Sequence, residues 1–181
     1  MPILFGTIAS SNQQARADTG AMFPISVYTV GDVNASSITL SNIPSTYTHL
    51  QVRFLTLNSA TGATFFRLNG DTAGNYSNHY LYGSGTDAQT GGTANSTQLY
   101  IANHGTSIPT IGIIDILDYK NTNKYKTTRT ISGNETNSGN NTASAIWSGN
   151  WRNTNAVTTF QIYPSGANFT QFTTVALYGI L

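Results

Sequence analysis

The chain has 181 residues, of which only 8% are charged, against roughly 25% in an average soluble domain. Eight basic and seven acidic residues leave a formal net charge of +1, which excludes the basic footprint of a nucleic-acid-binding domain. An aromatic content of 11% excludes a disordered polar chain, and the absence of cysteine excludes disulfide staples and thiolate zinc sites.

No apolar run reaches the roughly 18 residues of a membrane-spanning helix, so no membrane partner is expected. The first six residues, Met1-Pro-Ile-Leu-Phe-Gly6, lack the basic start and long apolar stretch of a secretory signal. The expectation is a chain made in, and kept in, a cytosol or released from it by lysis.

Residues 1–24 differ from the rest. Ile3, Leu4, Phe5 and Ile8 form an apolar tip, a small polar stretch follows over 10–20, and Met22 and Phe23 close the segment. Two readings stand: a first edge strand, or an extended arm whose apolar side chains dock on a partner. A tip this small cannot form a core of its own.

From Ile25 to Leu181 the pattern is that of strands. Residues 25–30 alternate, 37–40 are a short strand, and the Pro-marked turn Ile43-Pro-Ser-Thr-Tyr47 leads into a long strand over 49–58 with Leu50, Val52 and Phe54 on one face. Residues 64–69 end at the turn dipeptide Asn69-Gly70. Residues 79–82 read as a short strand, 83–95 as a Gly/Ser/Thr loop, and 98–102 as another brief strand.

The densest β-branched run is Ile111-Gly-Ile-Ile-Asp-Ile-Leu-Asp-Tyr119, apolar on both of its faces. It reads as a central strand covered on both sides, joined by the polar turn 120–124 to a returning strand over 125–132. Residues 133–141 are a second polar loop, 143–151 carry both tryptophans, 157–163 alternate cleanly, and 173–181 form a last strand. Roughly ten strands at these spacings predict an all-β antiparallel sandwich, jelly-roll-like, with an N-terminal arm. The domain division is an arm or edge strand over 1–24 and a sandwich over 25–181.

Candidate chemistry is sparse. Asp115 shares a face with Ile113 and Leu117, so it is expected to be a buried structural carboxylate paired with Arg53, Arg67 or Arg129. Asp118 lies an odd number of residues away, on the opposite face, so the two cannot share a ligand. The loop Asn69-Gly-Asp-Thr-Ala-Gly-Asn75 has a calcium-like spacing of oxygens but only one carboxylate, and it is read as a turn. His49, His79 and His104 have no ligand spacing. Trp147 and Trp151, four apart, share a strand face and are candidates for a core, a subunit interface or a sugar-stacking platform. Neither a catalytic motif nor a cofactor motif is present, so no enzyme activity and no cofactor are expected.

Several blocks taken together carry a resemblance: Ile43-Pro-Ser-Thr-Tyr-Thr-His-Leu-Gln-Val-Arg53, Phe66-Arg-Leu-Asn-Gly-Asp71, residues 75–83 with their His-Tyr-Leu-Tyr-Gly, residues 114–124, and the closing Ala176-Leu-Tyr-Gly-Ile-Leu181. From about Ile25 to the C-terminus the chain resembles a family of small β-sandwich virion proteins of tailed bacteriophages, described as structural, capsid-associated or fibre-like. The resemblance implies a particle component rather than an enzyme. The expectation is a capsid decoration protein on the head shell, assembled in the host cytoplasm, with the major capsid protein as partner and a homotrimer as its state. Ile3, Leu4, Phe5, Ile8, Met22 and Phe23 are the expected contacts to capsid or neighbouring subunits. The alternatives are a head or tail fibre domain that binds host-surface glycans through loops 83–95 and 133–141, and a carbohydrate-binding module.

Overall fold

The computed structural model describes residues 22–136 and 143–181. No helix occurs among them, and the chain forms two antiparallel sheets packed face to face. Its strands are β1 (Met22–Thr29), β2 (Ile38–Leu40), β3 (His49–Thr56), β4 (Gly62–Leu68), β5 (Tyr76–Gly83), β6 (Ala88–Ser96), β7 (Leu99–His104), β8 (Thr110–Leu117), β9 (Lys126–Asn134), β10 (Ala143–Trp151), β11 (Phe160–Pro164) and β12 (Thr174–Ile180).

The small sheet has the order β2-β11-β4-β7, and the large sheet β1-β12-β3-β8-β9-β10-β5-β6. The strands β1, β12, β3 and β8 face β2, β11, β4 and β7 in jelly-roll order. The remaining strands β9, β10, β5 and β6 extend the large sheet beyond β8. The predicted sandwich is therefore present, with the large sheet twice as wide as the small one.

The core lies between the sheets. Period-two alternation sends Leu50, Val52 and Phe54 of β3, Ile114 and Ile116 of β8, and Val175 and Leu177 of β12 inward to meet Phe66, Leu68, Phe160 and Ile162 of the small sheet. Gly149 of β10 marks a close approach of the layers, since a methyl group there would run into Leu99 of the small sheet as well as its neighbour Thr128. Asn69 and Gly70 both have positive φ, 58° being the value at Asn42 and 52° and 64° those at the pair. Closed by Asp71 N–H donating to the Leu68 carbonyl at 3.0 Å, this type I′ turn carries the chain from one sheet to the other.

Three sequence expectations are corrected here. Met22, Phe23 and Pro24 belong to β1, paired with Ile180, Gly179 and Tyr178, so the sandwich starts earlier than residue 25. Residues 88–96, read as loop, are the edge strand β6 paired with β5. An edge strand open on both faces needs no apolar alternation, because backbone hydrogen bonds alone hold it. The β8 stretch is covered on one face only: Ile114 and Ile116 are buried, whereas Ile111, Ile113 and Leu117 are exposed on the outside of the large sheet.

Candidate functional surface

Two surfaces stand out from the polar remainder, and each is built by strand alternation. On the outside of the large sheet the exposed aliphatic residues are Val27, Leu55, Leu81, Ile111, Ile113, Leu117, Ile131 and Ile146. Two shallow cavities, of about 790 Å³ and about 470 Å³, lie on this same face, the first beside Arg53, Ile111 and Ile113 and the second beside Leu81 and Ile146. Ile131 and Ser144 line both.

On the outside of the small sheet, Tyr163, Phe65 and Tyr100 are cross-strand neighbours on β11, β4 and β7. Phe65 meets Tyr100 edge-on at 5.0 Å and Tyr163 at 6.0 Å between ring centres. The Arg67 guanidinium lies 4.7 Å from the centre of the Tyr163 ring and donates to Gln98 Oε1 at 3.2 Å, while the Tyr163 hydroxyl donates to the same oxygen at 2.6 Å. All of these side chains are half-buried. Tyr100, on the edge strand, also stacks on Trp147 of the large sheet at 4.4 Å, and burial pushes its phenol up to about 12.

The residues singled out from sequence are placed as follows. Ile3, Leu4, Phe5 and Ile8 lie outside the described residues. Met22 and Phe23 are half-buried within β1, where Phe23 stacks on Tyr47 at 5.5 Å. Trp147 and Trp151 do share a face, and it is the inward one: they are 5% and 1% exposed. Neither ring is open to a sugar, and the half-exposed aromatics that sequence reasoning passed over are Phe65, Tyr100 and Tyr163. Their signal was present in the alternation of residues 157–163 but absent from the short apolar runs around Phe65 and Tyr100.

Asp115 is a further correction. It is half-buried on the outer face rather than enclosed, and its carboxylate accepts a hydrogen bond from Gln51 Nε2 at 2.9 Å. Arg53 reaches it only through Gln51, donating from Nε to Gln51 Oε1 at 3.0 Å. Arg129 stands opposite it in register but is exposed and forms no ion pair with it, and Arg67 is on the other sheet. Asp118 sits beyond the strand in a left-handed turn, where the hydrogen bond from Lys124 holds its carboxyl below the usual range.

The Asp71 loop is a structural latch. Its carboxylate accepts from Trp151 Nε1 at 2.7 Å, Asn75 Nδ2 at 2.9 Å and the Ala73 amide at 2.9 Å, which leaves little for a cation. Among the described residues no three His, Asp or Glu side chains converge as metal ligands do.

Of the three histidines only His104 is buried. Its Nδ1 is 3.0 Å from the Thr64 hydroxyl, and its Nε2 has no hydrogen-bond partner among the described residues. Burial lowers its pKa below the ordinary 6.5. Between the lowered value and 6.5 the unfolded chain binds more protons than the folded one. Stability is therefore full above about pH 6.5 and falls as the pH drops through that window. The expected result is a melting temperature that declines from pH 7 to pH 5 in the parent and declines less in His104→Gln. Parallel profiles would show that other groups carry the acid sensitivity.

No protein-family model matches this chain, and no curated protein matches it.

Proposed function

We propose that this chain is a structural protein of a tailed-bacteriophage virion, a decoration protein that binds the outer surface of the head shell through the major capsid protein. The observation that carries the reading is the outside of the large sheet, a broad face of exposed aliphatic and few charged side chains, suited to standing against other protein rather than against water. The resemblance of residues 25–181 to small virion β-sandwich proteins supports it. In this reading the N-terminal segment attaches the sandwich, with Ile3, Leu4, Phe5 and Ile8 buried against shell or neighbouring subunits. Copies gather as homotrimers at local symmetry axes, in the host cytoplasm, without cofactor or catalysis.

The test is quantitative mass spectrometry of purified virions that encode the chain. A decoration protein appears in many copies, in fixed ratio to the major capsid protein, and is shed without loss of the tail. A few copies that co-purify with tails or fibres would overturn the decoration reading.

A second reading rests on the aromatic row Tyr163, Phe65 and Tyr100 with Arg67 and Gln98 beside it. Half-exposed rings next to hydrogen-bonding side chains suit the C–H faces and hydroxyls of sugars, as a fibre domain that binds host glycans would need. Low copy number together with glycan binding that is lost in Tyr100→Ala would favour it.

A further inference from the structure

The exposed aliphatic side chains of the large sheet form an ordered band. Arg53, Ile113, Ile131, Ile146 and Leu81 are successive cross-strand neighbours over β3, β8, β9, β10 and β5. The next row on the same face is Leu55, Ile111, Gly133, Ser144 and Gly83. On the other side of the first row run Gln51, Asp115, Arg129, Ser148 and His79. The face is thus divided across the strands, apolar at one end and polar at the other. Single exposed isoleucines are ordinary on a protein surface, whereas a contiguous band of them marks an interaction site. Gly133, Ser144 and Gly83 make its second row low, and the cavities of about 790 Å³ and 470 Å³ lie over the band, so side chains of an opposing surface have somewhere to go.

Resting on the assembly reading above, in which the N-terminal segment makes the shell contact, we propose that this face is the contact surface between copies of this chain. Size is the first argument for a second copy as the occupant. The five strands of the band at ~4.8 Å spacing and about eight residues at ~3.3 Å give roughly 24 by 26 Å, and β12 beyond β3 widens the face toward the ~800 Å² that each partner contributes to a stable interface. Self-complementarity is the second. Any rotation axis parallel to the strands keeps each row at its own height, so apolar rows meet apolar rows in a dimer or a trimer alike. The polar row carries both signs, Asp115 on β8 and Arg129 on β9. Rotated copies can therefore set one copy's carboxylate against another's guanidinium instead of like against like. A net charge of +1 adds little repulsion to hold copies apart.

The test uses the full chain. Light scattering after size exclusion is expected to give a multiple of 19.4 kDa for the parent, and 19.4 kDa for the double variant Ile131→Lys, Ile146→Lys with its circular dichroism unchanged. Val33→Lys, at an exposed site outside the sheets, keeps the parent's mass. Because the chain has no cysteine, Ile131→Cys supplies a second reading that tolerates a poorly folding double variant. Its thiol is expected to label fast in dilute solution and to become protected as concentration rises. A parent that stays monomeric across micromolar concentrations overturns the proposal, as does a double variant as large as the parent. Protection that is independent of concentration and vanishes when residues 1–20 are deleted also overturns it, by making the chain's own N-terminal segment the occupant.

Discussion

Trp151→Ala is expected to lose about 3–5 kcal/mol of unfolding free energy, the range for truncating a large buried aromatic, and to be the most damaging single change among those considered. The ring is 1% exposed and stacks on Tyr76 at 6.3 Å between centres. The Tyr76 hydroxyl in turn takes a hydrogen bond from the Leu68 amide at 3.1 Å and donates to the Leu68 carbonyl at 3.2 Å. Indole Nε1 meanwhile donates to Asp71 Oδ2 at 2.7 Å. Burial pushes the Asp71 carboxyl up, but hydrogen bonds from Asn75, Trp151 and Ala73 outweigh it and hold it below the usual carboxylate range. The truncation therefore opens a cavity and removes a donor from a carboxylate that fixes the crossover between the sheets. Trp151→Phe separates the two effects, since it keeps most of the packing and loses the donor, at a cost of about 1–3 kcal/mol. Denaturant melts of both variants check this. A Trp151→Ala midpoint close to the parent's would mean that the latch does not hold the sheets together.

Lys126→Met is expected to be the second most damaging, by about 2–4 kcal/mol, because hydrogen bonds from a buried charge are worth about 1.5–3 kcal/mol each and are not additive. Lys126 begins β9 and is fully enclosed. Its ammonium donates to the carbonyls of Asn121 at 2.6 Å, Lys124 at 3.1 Å and Thr154 at 3.1 Å. It thus ties the β8–β9 turn to the loop after β10. Burial pulls its pKa below the ordinary lysine value, and the nearby Asp118 carboxylate opposes that pull. Methionine fills the channel of the stem but leaves three carbonyls without their donor. Lys126→Arg is expected to fare no better, because a planar fork cannot match a pyramidal set of acceptors. A melting temperature unchanged in Lys126→Met would show that water replaces the ammonium at no cost.

How much of this was legible in the residues depends on what each signal encodes. Alternation placed Leu50, Val52 and Phe54 on one inward face and put Trp147 and Trp151 on the same side of β10, because period two follows directly from strand geometry. Residues 111–119 were read as covered on both sides, and the chain itself covers only one. An apolar side chain records that a face is dry in the working state, without saying whether the cover is the same molecule or another. β6 was invisible because Ala88–Ser96 has no inward face to declare. Lys126 went unnoticed because charge suggests a surface, although it stands in phase with Thr128, Thr130 and Ser132 on the inner face of β9. Strand spacings pointed to a jelly-roll-like sandwich, but the order of strands within each sheet could not be read, since pairing partners far apart in the chain leave no local trace.

The place of β12 has a consequence for how the molecule is made. Its residues, Thr174–Ile180, come after every other described strand in the chain, yet β12 lies between β1 and β3 and hydrogen-bonds to both. Until it arrives, β3 has an open edge and β1 has no partner in the sheet at all. During synthesis β1 and β3 must therefore wait for a strand made after all the others, leaving an apolar strand unpaired in the interval. Closure over so long a sequence separation belongs to the slow class of folding reactions. Loss of β12 would leave a sticky, unfinished sheet rather than a slightly shorter sandwich.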